Sequence, residues 1–180
     1  SLSYQIAAKG YKIVSGFGYG IGSAVINGAI EYVFSTKYRH LDDTLLLRPF
    51  PQVVSGRKSK AARKLEYRNE MIRPAGLALF IFGNKDDGEG TWKIADGMIE
   101  EFNIAIRHGV VPIPVGATGY ASEELWNIVM KNPTKYYPDD SNLLNTIKQI
   151  GDKSLNDNEL INQIIKAINI KKDTSVRPEK

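Results

Sequence analysis

Hydrophobic positions along the chain change their period several times, and each change marks an element. Leu2, Ile6 and Ala7 carry helical spacing and Gly10 stops that run, so the chain is expected to open inside a helix, with a first strand expected upstream of it. Residues 11–14 read as a short buried strand. Residues 21–34 read as a helix in which Ala24, Val25, Gly28 and Ala29 are small packing positions. Residues 45–47 form a candidate strand closed by Arg48-Pro49-Phe50-Pro51, whose prolines remove amide donors. A polar helix is predicted over 59–73. Residues 76–82 are apolar throughout, as in a parallel strand covered on both faces, and are assigned to the centre of a sheet.

A helix over 92–108, a buried strand over 110–115, a turn at Gly116-Ala117-Thr118-Gly119 and a helix over 122–130 complete the pattern. Repetition of strand, glycine loop and helix predicts an α/β class: a Rossmann-like doubly wound parallel sheet with helices on both faces. Past Lys131 the composition shifts to Asn, Asp, Lys and Tyr. Two short amphipathic helices are predicted at 143–150 and 160–168, with Asn156 and Glu159 as an N-cap and its reciprocal partner. The resulting layout is a nucleotide-binding core over 1–135, a helical appendage over 136–170 and a flexible tail over 171–180.

At 180 residues and 42% hydrophobic, the chain is long enough for one domain with a substantial core. The net charge of +4 fits an anionic ligand, while the lack of a long basic tract argues against DNA or RNA as partner. With no cysteine there can be no disulfide, thiolate metal site or cysteine nucleophile, which fits a reducing compartment. His40 and His108 are too few and too far apart to predict a metal cluster. No apolar run approaches the roughly 18 to 20 residues that cross a bilayer. The first residues also lack a secretory layout. The expectation is a cytoplasmic protein with no membrane partner.

Two glycine-rich segments leave hydrophobic runs, the position from which an α/β sheet builds its ligand crevice. In the first, Ser15-Gly16-Phe17-Gly18-Tyr19-Gly20-Ile21-Gly22, the glycines sit at the head of a helix. They are either a cradle of amides for phosphate or a tight turn that lets the helix pack closely. Arg68 falls within an apolar stripe of Ala61, Leu65 and Ile72, so it binds an anion, snorkels, or pairs internally. Lys85 follows the 76–82 strand by three residues, placing it either over the crevice or on an ordinary loop. Asp86, Asp87 and Glu89 beside it read as exposed acids rather than a metal or acid-base site. Gly90-Thr91, ahead of the predicted 92–108 helix, either feeds amides and a hydroxyl to phosphate or caps that helix. Glu100 lies off the stripe of Ala95, Met98, Ile99, Phe102 and Ile106, which predicts a solvated or intersubunit position.

Gly10-Tyr11-Lys12-Ile13-Val14-Ser15-Gly16-Phe17-Gly18 followed by Gly22-Ser23-Ala24-Val25-Ile26-Asn27-Gly28-Ala29 resembles the SLOG superfamily, in its branch attached to sirtuin-like and TIR domains. Leu47-Arg48-Pro49-Phe50, Tyr67-Arg68-Asn69-Glu70-Met71, Phe82-Gly83-Asn84-Lys85 and Pro114-Val115-Gly116-Ala117-Thr118-Gly119-Tyr120 extend the likeness to the C-terminal SLOG domains of Thoeris anti-phage effectors. It runs in consistent order over about 1–130. The resemblance implies a regulatory domain that binds a cyclic ADP-ribose isomer, made by a TIR-domain protein, and activates a sirtuin-like NAD hydrolase domain in the same longer chain. It also implies a homo-oligomer in a prokaryotic cytoplasm.

Residues matching the family's ligand contacts are Arg68, Lys85 and Glu100; the full candidate ligand-binding set is Ser15, Gly16, Phe17, Gly18, Gly20, Arg48, Arg68, Lys85, Gly90, Thr91 and Glu100. In that reading Arg68 and Lys85 neutralise the pyrophosphate, Phe17 or Tyr19 stacks on adenine, and Glu100 touches ribose hydroxyls or braces Arg68. No catalytic residue, cofactor or metal ligand is assigned. Related phosphoribohydrolases carry Pro-Gly-Gly-x-Gly-Thr-x-x-Glu. This chain has Gly88-Glu89-Gly90-Thr91-Trp92-Lys93-Ile94, with isoleucine in place of the glutamate. That departure favours a pocket that keeps its nucleotide intact over the alternatives, a phosphoribohydrolase acting on nucleoside monophosphates or a purely structural oligomerisation domain.

Overall fold

The computed structural model describes residues 1–18, 21–37, 40–50, 59–86 and 88–175, with side chains described as far as residue 171. Tyr19, Gly20, Pro51, Arg57, Lys58 and Asp87 lie outside the described residues, as does the predicted tail from 176 onward. The chain is of the mixed α/β class, with two parallel strand pairs and one antiparallel pair among helices in the described residues. It divides into two compact units, Ser1–Ala75 and Gly76–Lys180.

In the first unit, α1 (Leu2–Ala8) opens on Ser1, whose hydroxyl accepts from the Tyr4 amide, and ends ahead of Gly10 at φ +81°. It packs on α2 (Gly22–Ser35). A side chain at Gly28 would run into the Ser1 and Ser3 hydroxyls, so only glycine permits this approach. Between these helices lies β1 (Ile13–Ser15), which pairs in parallel with β2 (Leu45–Leu47), register Ile13↔Leu45 to Ser15↔Leu47. A short helix not foreseen from the sequence, α3 (Leu41–Thr44), leads into β2.

The polar helix is α4 (Lys60–Ile72), capped by Ser59, whose hydroxyl accepts from the Ala62 amide. Its apolar stripe requires correction. Ala61 and Leu65 are exposed, and the inward face is instead Lys64, Tyr67, Arg68, Met71 and Ile72. Arg68 is common to both stripes and remains half-buried.

In the second unit β3 (Leu77–Phe80), shorter than predicted, pairs in parallel with β6 (Val111–Pro114). Val111 and Val115 donate to Gly76 and Phe80 carbonyls. Pro112 and Pro114, at the alternate positions, have no N–H, so the other side of β6 cannot donate to a further strand. The Pro112 carbonyl on that side accepts from the buried Tyr137 hydroxyl at 2.7 Å.

The predicted 92–108 helix divides. Trp92–Ile94 is β5, antiparallel to β4 (Asn84–Asp86), and the helix proper is α5 (Asp96–Arg107). After β6, a tight 3-10 turn at Gly116–Thr118 leads into α6 (Tyr120–Lys131), then the short α7 (Pro133–Tyr136), α8 (Ser141–Ile150) and α9 (Asp157–Ser175). Trp126 of α6 fits against Gly116 and Gly151, donating its indole N–H to the Ile147 carbonyl at 2.8 Å. Ile104, Ile113, Val115, Leu125, Val129, Leu143, Ile147 and Ile150 are fully buried and form the core of this unit. The Asn156–Glu159 capping box forms as predicted: the Asn156 side chain accepts from the Glu159 amide, and Glu159 accepts from the Asn156 amide. α9 continues into the segment expected as tail. No helix among the described residues is long and apolar enough to cross a membrane.

Candidate functional site

In the first unit the carboxyl ends of β1 and β2 lie side by side, and the Arg48 amide donates to the Ser15 carbonyl at 2.8 Å, extending the ladder past Leu47. Ser15, Gly16 and Arg48 are thereby brought together. Phe50 fills the space above them. A Cβ built on Gly16 would stand 3.0 Å from the Phe50 ring and 3.4 Å from the Met71 sulfur, so Gly16 is a close-packing position. The Arg68 guanidinium carbon lies 5.1 Å from the centroid of the same Phe50 ring, a cation–π geometry. Tyr67 also meets the Phe50 ring, at 6.0 Å between centroids. Through Phe50, therefore, the structure brings Arg68 to the first glycine loop.

Phe50 is the residue that the sequence reading missed as part of a site. It registered as part of a proline-flanked strand stop and of one segment that carries the family likeness.

Phe17 stands at φ +52°, and its amide donates to the Ser15 hydroxyl at 3.2 Å. Its ring lies over the start of α2, where a Cβ on Gly22 would come within 2.9 Å of it. Gly18 has open space around it, and its carbonyl accepts from the Gly22 amide at 3.1 Å. The head of α2 carries no side-chain cap and no acid in its first turn. Its amides are thus presented as an anion-compatible terminus.

In the second unit Lys85 is on strand β4, opposite Lys93 on β5, rather than in the loop expected from the sequence. The Lys85 ammonium pairs with the Asp96 carboxylate at the start of α5 and holds that carboxyl below its ordinary range, by hydrogen bond first and charge second. Gly90 and Thr91 belong to the connection between β4 and β5, and the residue ahead of α5 is Ala95. They therefore do not open the helix, which corrects the expectation of a capping role there. Asp86 is occupied in that connection, accepting from the Gly88 amide at 2.8 Å. No group of three or more His, Asp or Glu side chains among the described residues is arranged to hold a metal.

Glu100 is half-buried on α5, where its spacing predicts a solvated or intersubunit position. The buried residues of this helix are Phe102, Ile104 and Ala105, a wider arc than the predicted stripe. Glu100 stands one turn from Ile104, at the edge of that arc.

Comparison with known proteins gives concordant results. The family described as "Sir2- and TIR-associating SLOG family" matches residues 1–171. A relative called "NAD(+) hydrolase ThsA" from Cytobacillus dafuensis is 46% identical over 170 residues, covering 93% of this chain and 34% of the relative. Proteins of the same name from Bacillus cereus (strain MSX-D12) and Acinetobacter baumannii (strain 532279) are 40% and 41% identical, covering 94% and 78% of this chain and 35% and 30% of theirs. The chain thus spans about a third of the length of these relatives.

Proposed function

We propose a function for this chain from the premise that it belongs to the Sir2- and TIR-associating SLOG family. It acts as the regulatory, non-catalytic part of a longer NAD hydrolase in anti-phage defence, sensing a cyclic ADP-ribose isomer released by a TIR-domain partner. Self-association and a cytoplasmic, prokaryotic setting belong to the same reading. The name and the greater length of the relatives support the attached hydrolase.

The observation that carries the ligand reading is Arg68 held on the Phe50 ring beside Gly16, at the carboxyl ends of two parallel strands. A guanidinium fixed in orientation by an aromatic face suits the bidentate grip of a diphosphate. The amides about Gly18 belong to this reading in the first unit, and Lys85 and Glu100 are the second unit's candidate ligand contacts. Lys85 exchanges its Asp96 partner for phosphate, and Glu100 accepts from ribose hydroxyls. Activation follows only if the ligand binds one arrangement of the full protein better than the other.

Calorimetry with cyclic ADP-ribose isomers, comparing wild type with Arg68→Ala and Lys85→Ala, tests the assignment. Charge-assisted hydrogen bonds contribute about 1.5–3 kcal/mol each, so each variant loses roughly tenfold to a hundredfold in affinity. Unaltered affinity in both variants removes the proposed site. Release of free base from nucleoside monophosphates would replace this reading with phosphoribohydrolysis.

A further inference from the structure

Four non-glycine residues among those described have positive φ: Phe17 at +52°, Phe82 at +59°, Tyr120 at +54° and Asp139 at +56°. Bulky L-residues avoid this region because Cβ crowds the backbone, and they persist there only where surrounding structure holds them. Phe17, Phe82 and Tyr120 combine that strain with exposure, at 49%, 41% and 43%, and of these Phe82 and Tyr120 share one corner of the second unit. Each of these two rings thus leaves about two-fifths of its residue's surface open to solvent on a strained backbone. We propose that Phe82 and Tyr120 form an aromatic platform that receives the planar base of the bound nucleotide. The inference rests on the ligand reading above and adds to it the residues that select for a base.

The geometry supports a prebuilt platform. Phe82 follows β3, and Tyr120 opens α6 after β6, so both stand past the carboxyl ends of hydrogen-bonded parallel strands, where such folds take ligands. The Phe82 amide donates to the Thr118 hydroxyl at 2.8 Å, and the Phe82 carbonyl accepts from the Ser122 amide at 2.9 Å. These two partners flank Tyr120 in sequence, so one set of hydrogen bonds fixes both aromatic residues at a single corner. The corner is tied to the strands in turn. Thr118 donates to the Val115 carbonyl at 2.7 Å, and the Ser122 hydroxyl donates to the Phe80 carbonyl at 2.8 Å. Behind it, Gly83 has no room to shift, since a Cβ there would meet Met98 and Ala121 at 2.5 and 2.7 Å.

Stacking on aromatic rings tolerates any planar base and is favoured when the rings are already fixed. Of the stacking candidates in the first loop, Phe17 has one edge of its ring against Gly22 and is otherwise exposed, and Tyr19 lies outside the described residues.

The test uses Phe82→Gly and Tyr120→Gly, which remove the ring and relieve the strained φ together, with Phe82→Tyr and Tyr120→Phe as conservative partners. Binding of the cyclic ADP-ribose isomers, ADP-ribose and base-free pyrophosphate is measured by calorimetry, and stability by thermal unfolding. Each glycine variant should bind the adenine-bearing probes about fivefold to a hundredfold more weakly, bind pyrophosphate as wild type does, and melt at or above the wild-type midpoint. The conservative variants should restore adenine-probe affinity.

Retained affinity in both glycine variants overturns the platform, and so does a lowered midpoint, which would make the rings part of the folding core. If Arg68→Ala and Lys85→Ala lose binding while the glycine variants keep it, the platform fails and the ligand reading stands. If wild type binds none of the adenine-bearing probes, both fall.

Discussion

Gly83→Ala separates two reasons for a glycine at the end of β3. The residue has φ +88°, and an ideal Cβ placed on it would stand 2.5 Å from the Met98 sulfur and 2.7 Å from the Ala121 Cβ. A left-handed backbone costs an L-residue about 1–2 kcal/mol. Forcing a methyl into an occupied space costs about 1–3 kcal/mol more. Gly109 supplies the control, because it has φ +70° with nothing within 4 Å of a built Cβ, so Gly109→Ala carries the backbone cost alone.

The difference between the two variants is therefore the steric part. At about 2–4 °C per kcal/mol for a chain of this size, it separates their midpoints by roughly 2–12 °C. Thermal unfolding of wild type, Gly83→Ala and Gly109→Ala measures it. Adding Met98→Ala to Gly83→Ala should cost less than the two single changes summed, since one neighbour of the new methyl is gone. Equal midpoints for Gly83→Ala and Gly109→Ala would refute the close approach and loosen the corner on which Phe82 is held.

Tyr137→Phe leaves the Pro112 carbonyl without its buried donor on the edge of β6, where the prolines admit no strand partner. The loss should be about 1–2 kcal/mol, read as a lower urea midpoint at unchanged slope, and a wild-type midpoint would refute it. Asp140 accepts from the Leu143 amide at 3.0 Å as cap of α8, and its second oxygen pairs with Lys171 of α9 at 2.9 Å. Burial alone would raise this carboxyl, but the Lys171 ammonium and the Leu143 amide outweigh it and hold it below its ordinary value. A depressed carboxyl contributes stability that is present above the unfolded value, about 3.9, and is lost as pH falls through the folded value. Asn at 140 keeps the cap and deletes the charge. The gap between wild type and Asp140→Asn should thus close on acidification, and a gap unchanged between pH 7 and acid would contradict the ion pair. Asp96→Asn frees Lys85 from an exposed partner, so the unfolding midpoint should barely move while anion affinity tightens; calorimetry showing weaker binding would place Asp96 itself among the ligand contacts.

The elements that could be read from sequence are those whose signal is local. Ser59 and Asn156 cap their helices because a hydroxyl or amide side chain satisfies amides one turn on. Gly10 ends α1 at positive φ. Strand β2 stops where the prolines begin. The hairpin β4–β5 was not legible, because Asn84-Lys85-Asp86 has little strand propensity and Trp92-Lys93-Ile94 runs straight into helix-periodic sequence. The inward face of α4 came out one position around the helix for a non-local reason. Tyr67 and Arg68 turn towards Phe50, which lies on a different element and which no spacing rule connects to them. Positive φ at Phe82 and Tyr120 leaves no mark in the pattern either, since neither position is glycine.

The glycine signature itself carries less function than its conspicuousness invites. Gly16 yields to the Phe50 ring, Gly22 to the Phe17 ring and Gly28 to the hydroxyls of α1, so three glycines of that segment are explained by packing before any ligand is considered. Of its described glycines, Gly10 and Gly18 stand in open space. A motif match there would be equally strong in a protein that bound nothing. What distinguishes this chain is the side chain that the packing delivers: closing Gly16 on Phe50 supplies the aromatic face on which Arg68 rests. Close packing and ligand capture are thus successive consequences of one contact. Substituting Gly16 should therefore weaken anion binding through Phe50 and Arg68, even though Gly16 itself need never touch the anion.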